Sequence, residues 1–298
     1  MLFAEMVKNW IDRKEINRAP STISGYRRLL RLYILTSPIA NVSADELTEG
    51  DMIALLTPLI RRGCTRQAQL LQVLVLAVLR DAVRRRVLPF NVMDGVEKVK
   101  HQKQFTPWLT IDQARRFLET ARIGNDPFYL AWVLMLCCGL RRGEILGLRW
   151  TDVDFDRKIL RVERQKVRIE RTVYVTRPKS AASVREIPLD DHLVALLRLR
   201  RRGDGDILEG VTDTTLRRAL DRAVCAAGVP RVTLHGLRHT MAATAAGKGV
   251  PVKVLQSIMG HAHFQTTADI YAHVDQKPRR DAQILIASML LGARLEIV

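Results

Sequence analysis

The pentapeptide His235-Gly236-Leu237-Arg238-His239 sets two imidazoles and a guanidinium into a stretch otherwise rich in Ala, Val and Leu. His235 and Arg238 stand three apart, so on a helix both leave one face and can reach a single ligand. An imidazole titrates near neutrality and can carry protons, while a guanidinium stays charged and presents a planar fork of donors suited to an oxyanion. His239 falls one step further round and need not join them. Other groups with chemical potential are spread along the chain. Cys138-Gly139-Leu140-Arg141-Arg142-Gly143-Glu144 ends an apolar run with two arginines and a carboxylate. Lys179 lies in the turn Pro178-Lys179-Ser180, Gly260-His261 follows a helical run, and Tyr271 comes later in Thr266-Thr267-Ala268-Asp269-Ile270-Tyr271. Taken singly, each suits a surface ion pair or a packing aromatic as well as a reactive site.

The elements that must bring these residues together are mostly helices. Pro20-Ser21-Thr22 can cap a helix through Tyr33, Thr48 to Asp51 resembles a capping box before Met52 to Arg62, and a third helix spans about Thr65 to Arg86. The basic end Arg84-Arg85-Arg86 either meets phosphates or favours a helix C-terminus. The polar run Lys100-His101-Gln102-Lys103-Gln104 marks a boundary, and Thr110-x-x-Gln113 starts a second domain whose helices reach about Trp150. Between Asp154 and Leu189 the period changes. Ile159 to Val162, Lys166 to Val175 and Val184 to Pro188 read as a small antiparallel sheet. Helices then return over Leu193 to Arg201, Thr214 to Ala227, His235 to Gly247, Pro251 to Met259 and Thr266 to His273. The fold class is therefore mainly α with a small antiparallel β-sheet. It divides into a helical domain over 1–100, a linker over 101–107, a second domain over 108–275 and a tail over 276–298.

Composition narrows the partners. Lys and Arg number 48 against 31 Asp and Glu, a formal net charge of +17 over 298 residues, so a polyanion is the first candidate and a basic protein without one is the alternative. The longest apolar run, Phe128 to Leu140, is short of the roughly 20 residues that span a bilayer. The cysteines at 64, 137, 138 and 225 lack metal or disulfide spacing and read as buried reduced thiols in a cytoplasmic protein.

In order and spacing, Gly139-Leu140-Arg141, Lys179 before Ile187-Pro188-Leu189, His235 to His239, Gly260-His261 and Tyr271 resemble the tyrosine recombinase family, the phage-type integrases. The likeness covers Leu109 to about Val274 and, more loosely, Phe3 to Asn91, which is similar to that family's core-binding domain. Cys138, Gly143, Ser180 and Met259 depart from its commonest residues without removing a reactive group. The resemblance implies a catalytic set of Arg141, Lys179, His235, Arg238, His261 and Tyr271, with no cofactor and no metal. It implies that Tyr271 attacks a DNA phosphodiester, that Arg141, Arg238 and His261 stabilise the phosphate, and that His235 and Lys179 move the protons. Glu144 then either holds an active-site arginine or makes a plain helix salt bridge. The implied partner is double-stranded DNA, clamped between the two domains, with a homotetramer acting on two DNA sites, accessory DNA-bending proteins as candidates, and no membrane. Integration and excision of a phage or mobile element is the first role implied, in a cytoplasmic protein encoded by a bacterium or phage and acting on nucleoid DNA. Chromosome-dimer resolution, a relaxase that rejoins the same strand, and a non-cleaving DNA-binding protein are the alternatives. The tail, with its apolar run Ile284 to Leu291, either docks on a neighbouring protomer or folds back.

Overall fold

The structure, a computed structural model, describes residues 1–102, 106–170, 172–177 and 183–260. The expected helix over Thr266 to His273 and the tail over 276–298 lie outside the described residues. The chain forms two compact units, Met1–Gln104 and Phe105–Val298.

The first unit is helical: α1 (Phe3–Lys14), α2 (Pro20–Leu29), α3 (Glu49–Arg61) and α4 (Thr65–Arg84). Thr48 caps α3 as its sequence suggests, accepting the Asp51 N–H at 3.2 Å while the Asp51 carboxylate accepts the Thr48 N–H at 2.9 Å. The apolar stripe of α4, including Leu71, Val75, Val78 and Leu79, packs with Phe3, Val7 and Ile11 of α1 and Met52 and Leu56 of α3. The Gln72 amide is buried and works as a short piece of sheet, donating to the Glu97 carbonyl and accepting the Val99 N–H, each at 2.8 Å.

The second unit is built around α6 (Tyr129–Cys137), in which every residue from Leu130 to Leu136 is buried. A helix that is apolar on all sides needs cover on all sides. α5 (Ile111–Ile123), α7 (Arg142–Gly147) and α10 (Leu234–Gly247) pack on it, α9 (Asp213–Ala227) packs on α5, α11 (Val252–Met259) on α10, and α8 (Asp191–Arg200) adds Leu193, Val194 and Leu197 to the same core. Threonine or aspartate caps start α5, α8, α9 and α10, with side chains of Thr110, Asp190, Thr212 and Thr233 each accepting an N–H from the first turn.

The β-rich stretch forms two sheets where the sequence suggested one. β1 (Val153–Asp154), β2 (Ile159–Val162) and β5 (Arg185–Pro188) make an antiparallel sheet in the order β1-β2-β5, and β3 (Gln165–Ile169) with β4 (Thr172–Thr176) makes a separate hairpin. Along β2, Leu160 and Val162 point into the core, and on β5 the inward positions are Arg185 and Ile187. The cysteine reading also needs correction. Cys138 is buried, but Cys137 and Cys225 are exposed and Cys64 is half-buried. Burial pushes the Cys138 thiol up to about 12, which keeps it an unreactive core residue.

Arg84 and Arg85 have a partner within their own helix. Asp81, 6% exposed, pairs with Arg84, with Arg85 at 3.0 Å and with Arg13 of α1 at 3.2 Å. Burial alone would raise the Asp81 carboxyl, but the hydrogen bonds from Arg13 and Arg84 and the charge of Arg85 outweigh it and hold it below 3.8. Asp81→Asn should therefore lower the unfolding free energy of this unit by about 1–2 kcal/mol at neutral pH. A depressed acid gives its full contribution above the unfolded pKa and loses it as pH falls through the folded one. Urea titrations should show the gap between parent and Asp81→Asn narrowing below the ordinary value of 3.8.

Candidate functional site

The site begins at a break in an apolar helix. The sequence suggests helices to about Trp150, the apolar one ending over Cys138 to Glu144; α6 stops at Cys137, and Gly139 turns left-handed at φ +60°, a conformation glycine adopts without a Cβ penalty. The chain re-enters helix at Arg142, which places Arg141 at the head of α7. Glu144 then falls on the first turn of α7 and is only 1% exposed.

Around Glu144 three arginines converge from three elements. Its Oε2 accepts the Arg141 backbone N–H at 2.8 Å, and its Oε1 accepts Arg141 Nη1 at 2.7 Å. Arg185 reaches in from β5 and grips both oxygens, Nη1 to Oε1 at 3.1 Å and Nη2 to Oε2 at 3.0 Å. Arg238, fully buried on α10, brings Nη1 to within 3.9 Å of Oε2. Glu144 is thus both the helix partner of Arg141 and the centre of a larger network. Burial would raise its pKa, but the hydrogen bonds and charge of Arg185 and the contacts of Arg141 hold it below 4.5. Burial, followed by the charge of Arg141, pushes the Arg238 guanidinium down to about 9, with Glu144 opposing the shift. Arg238 therefore remains a cation at neutral pH.

The same three arginines share the end of α11. Arg185 Nε donates to the Ile258 carbonyl at 2.7 Å, Arg238 Nη2 to the Met259 carbonyl, and Arg141 Nη2 to the Gly260 carbonyl at 2.5 Å. Carbonyls at a helix C-terminus lack intrahelical partners and carry the negative end of its dipole, so they suit guanidinium donors. Arg238 also donates to the Gly139 carbonyl, which ties α10 to the turn before α7. Its Nε has no hydrogen-bond partner among the described residues.

A cleft of about 830 Å³ lies beside this cluster, with Arg141, Arg142, Arg217, Arg231 and His235 in its lining. Arg142 and Arg217 each pair with Asp213 at 3.1 Å, so the lining is basic but partly compensated. His235 is exposed to the cleft whereas Arg238 turns inward. Three helical residues span about 300°, so the two side chains diverge by about 60° and the core boundary passes between them. The His239 ring meets His235 edge-on, with centroids 4.5 Å apart. The structure therefore gathers Arg141, Arg238 and His235 in one region. Lys179, His261 and Tyr271 lie outside the described residues. Arg185, Arg217 and Arg231 were not among the site residues read from the sequence, although the Arg185-x-Ile187 alternation is a legible sign of an inward arginine. Among the described residues no group of three or more His, Cys, Asp or Glu is placed to hold a metal.

Gly236 has a steric origin. A Cβ there would lie 2.7 Å from the Pro107 carbonyl oxygen and 3.2 Å from Val232 Cβ. The same crossing segment donates the Leu109 N–H to Thr240 Oγ1 at 3.0 Å, fixing residues 107–109 along the helix that carries His235 and Arg238.

Residues 107–277 match the model of the phage integrase family. Among curated proteins, the chain is 32% identical over 182 residues to a XerC-like tyrosine recombinase of Caldanaerobacter subterraneus subsp. tengcongensis, covering 51% of this chain and 46% of that relative. The chain thus spans just under half the length of that protein. It is 27% identical to a prophage phiRv2 integrase of Mycobacterium tuberculosis, over 96% of this chain and 78% of the relative. Among solved structures, the Tn1549 transposon integrase in complex with a circular intermediate DNA superposes with a TM-score of 0.80 at 22% identity, covering 95% of this chain and 99% of that one. A lambda integrase dimer bound to a core site gives 0.73 at 18% identity, over 94% and 97%. These structural likenesses are ones of fold.

The crowding at Gly236 predicts opposite signs for two glycine substitutions in helices. Gly236→Ala should destabilise the protein by about 1–3 kcal/mol, because backbone must move to admit the methyl group. Gly25→Ala on α2, where a Cβ meets nothing within 4 Å, should instead stabilise by about 0.5–1 kcal/mol. Thermal unfolding of the two variants checks both signs.

Proposed function

Since the chain belongs to the phage integrase family, the tyrosine recombinases, we propose that it is a site-specific DNA recombinase that cuts and rejoins DNA through a 3′-phosphotyrosyl intermediate. The observation that carries this reading is the cluster beside the cleft. Arg141 and Arg238 come from different helices, share the buried Glu144, and lie next to a cleft whose lining includes His235 and Arg141. Three guanidiniums against one carboxylate leave surplus positive charge, which suits a phosphate whose non-bridging oxygens gain charge as its phosphorus is attacked.

Each residue of the set has one task. The Tyr271 phenol loses its proton to His235 and its oxygen attacks phosphorus, forming the bond to the 3′ phosphate as the bond to the 5′ oxygen breaks. Lys179 supplies the proton that the leaving 5′ oxygen takes up. Arg141 and Arg238 stabilise the non-bridging oxygens, and His261 adds a donor. Arg238 reaches a phosphate by giving up its bond to the Met259 carbonyl, so engagement of DNA involves the end of α11. The phosphotyrosyl bond retains the energy of the phosphodiester, and attack by a 5′ hydroxyl rejoins the strand without ATP or a metal.

Both parts of the chain have work on the duplex in this reading. Residues 1–100 bind DNA as a core-binding domain, residues 101–107 link it, and residues 108–275 hold the catalytic set, in a tetramer acting on two sites. The similarity to a prophage integrase over 96% of the chain, against 51% for the XerC-like relative, favours integration and excision of a phage or mobile element.

A half-site selected by the protein from a random duplex pool, then nicked near its cleavage point, should trap a covalent protein–DNA complex. Tyr271→Phe should trap none, and equal trapping by that variant would overturn the assignment. Arg141→Ala and Arg238→Ala should slow trapping by about 100-fold or more while weakening DNA binding far less. Normal cleavage by both would remove them from the phosphate site.

A further inference from the structure

Arg185 is a charged residue at an inward position of a strand. It pairs across the sheet with Val162 and shares its face of β5 with Ile187, yet its side chain is only 6% exposed. Nη1 and Nη2 grip the two oxygens of Glu144, Nη1 also donates to the Ser183 carbonyl at 3.2 Å, and Nε donates to the Ile258 carbonyl at 2.7 Å. Its donors are thus committed to protein groups, and it does not line the cleft. Arg238 keeps an Nε without a hydrogen-bond partner among the described residues, whereas every guanidinium nitrogen of Arg185 is bonded to protein, so the part Arg185 plays is exerted through Glu144 and the end of α11.

We propose that Arg185 is a positioning residue for DNA cleavage: it occupies Glu144 and ties it to the C-terminus of α11, so that Glu144 orients Arg141 without neutralising Arg141 and Arg238. The reasoning rests on the recombinase reading above. With Arg185 in place, one carboxylate faces three guanidiniums, and its two oxygens are held by the fork of Arg185 while still accepting two bonds from Arg141. Without Arg185 the carboxylate keeps its charge but loses the fork. The cations then nearest to it are Arg141 and Arg238, the latter already within 3.9 Å. Both would be drawn toward Glu144, and the positive surplus at the phosphate site would fall. The Ile258 carbonyl would also lose its anchor, loosening the turn through Met259 and Gly260 whose carbonyls align Arg238 and Arg141. The fork matters as well as the charge, since a lysine ammonium cannot hold both carboxylate oxygens and a helix carbonyl in one plane.

The test uses the full chain and the nicked, selected half-site. Single-turnover rates of covalent complex formation, dissociation constants from gel shifts, and thermal melts are measured for wild type, Arg185→Lys, Arg185→Gln, Glu144→Gln and the double variant Glu144→Gln/Arg185→Gln. Arg185→Gln should slow covalent complex formation on the order of 10- to 100-fold at saturating protein, with the dissociation constant changed less than about threefold. Arg185→Lys should recover only part of that rate. The double variant removes the unbalanced carboxylate and should cleave at least as fast as Arg185→Gln alone; because neutralising Glu144 also recovers stability, the rates are compared at saturating protein well below the melting temperature of each variant. If Arg185→Gln fails to fold, Arg185→Lys and the double variant carry the comparison. Folded Arg185→Gln cleaving at the wild-type rate, or a double variant slowed by the product of the single effects, would overturn the proposal while leaving the recombinase reading intact. Absence of any covalent complex with wild type would overturn both.

Discussion

The burial of Glu144 is the constraint on which the second unit turns. A carboxylate at 1% exposure loses several kcal/mol of hydration, and only close, well-directed cations make that burial tolerable. The structure meets the requirement with Arg141 from the head of α7, Arg185 from β5 and Arg238 from α10. Each belongs to an element separated from the others by tens of residues. The ion network therefore fixes the sheet, the short helix and the long helix relative to one another around a single carboxylate. The apolar shell of α6 supplies most of the packing in this unit, but hydrophobic contact has no direction, and it is the Glu144 network that sets where guanidiniums point.

The second half of the network is the end of α11. Its last carbonyls accept from the same three arginines, so the negative pole of that helix offsets the charge that Glu144 alone does not balance. A phosphate would ask for the same donors. On the recombinase reading, the donors that hold α11 are those that hold substrate, and the two demands meet at Met259 and Gly260. Arg185 is the exception because its donors stay with protein, which is why it suits support better than contact with substrate.

Much of this could be read from the sequence, and what was missed has physical causes. The caps at Thr48 and Thr110 follow from local hydrogen bonding, which spacing reveals directly. The basic motif on α10 was visible because its residues are adjacent in the chain. Arg185 was not, since its meaning depends on a carboxylate 41 positions away and on a strand face that only tertiary packing assigns. The end of the apolar helix near Cys138 was legible, but the sharp turn that starts α7 at Arg142 was not. The left-handed conformation of Gly139 that makes this turn is a backbone feature, set by how α7 packs. The division of the strands into a three-stranded sheet and a hairpin reflects pairing over distance, with β2 choosing β5 in preference to its neighbour β3. Exposed Cys137 beside buried Cys138 shows the coarsest limit, because adjacent residues at a helix end can fall on opposite sides of the core boundary.

The density of unusual residues in His235-Gly236-Leu237-Arg238-His239 then has a structural reason, position by position. The first turn of α10 is where a cleft, a crossing backbone segment, the core and the ion network all meet the same helix. His235 faces the cleft, Gly236 makes room for the Pro107 carbonyl, Leu237 is fully buried in the core, and Arg238 enters the network around Glu144. His239, which a reading of reactive groups alone would set aside, packs its ring edge-on against His235. A helix presents about one residue per 100° of arc, so five successive residues sample every direction around its axis. Where each direction holds a different demand, the sequence must change character at every step, and a motif that looks like concentrated chemistry is in part concentrated packing.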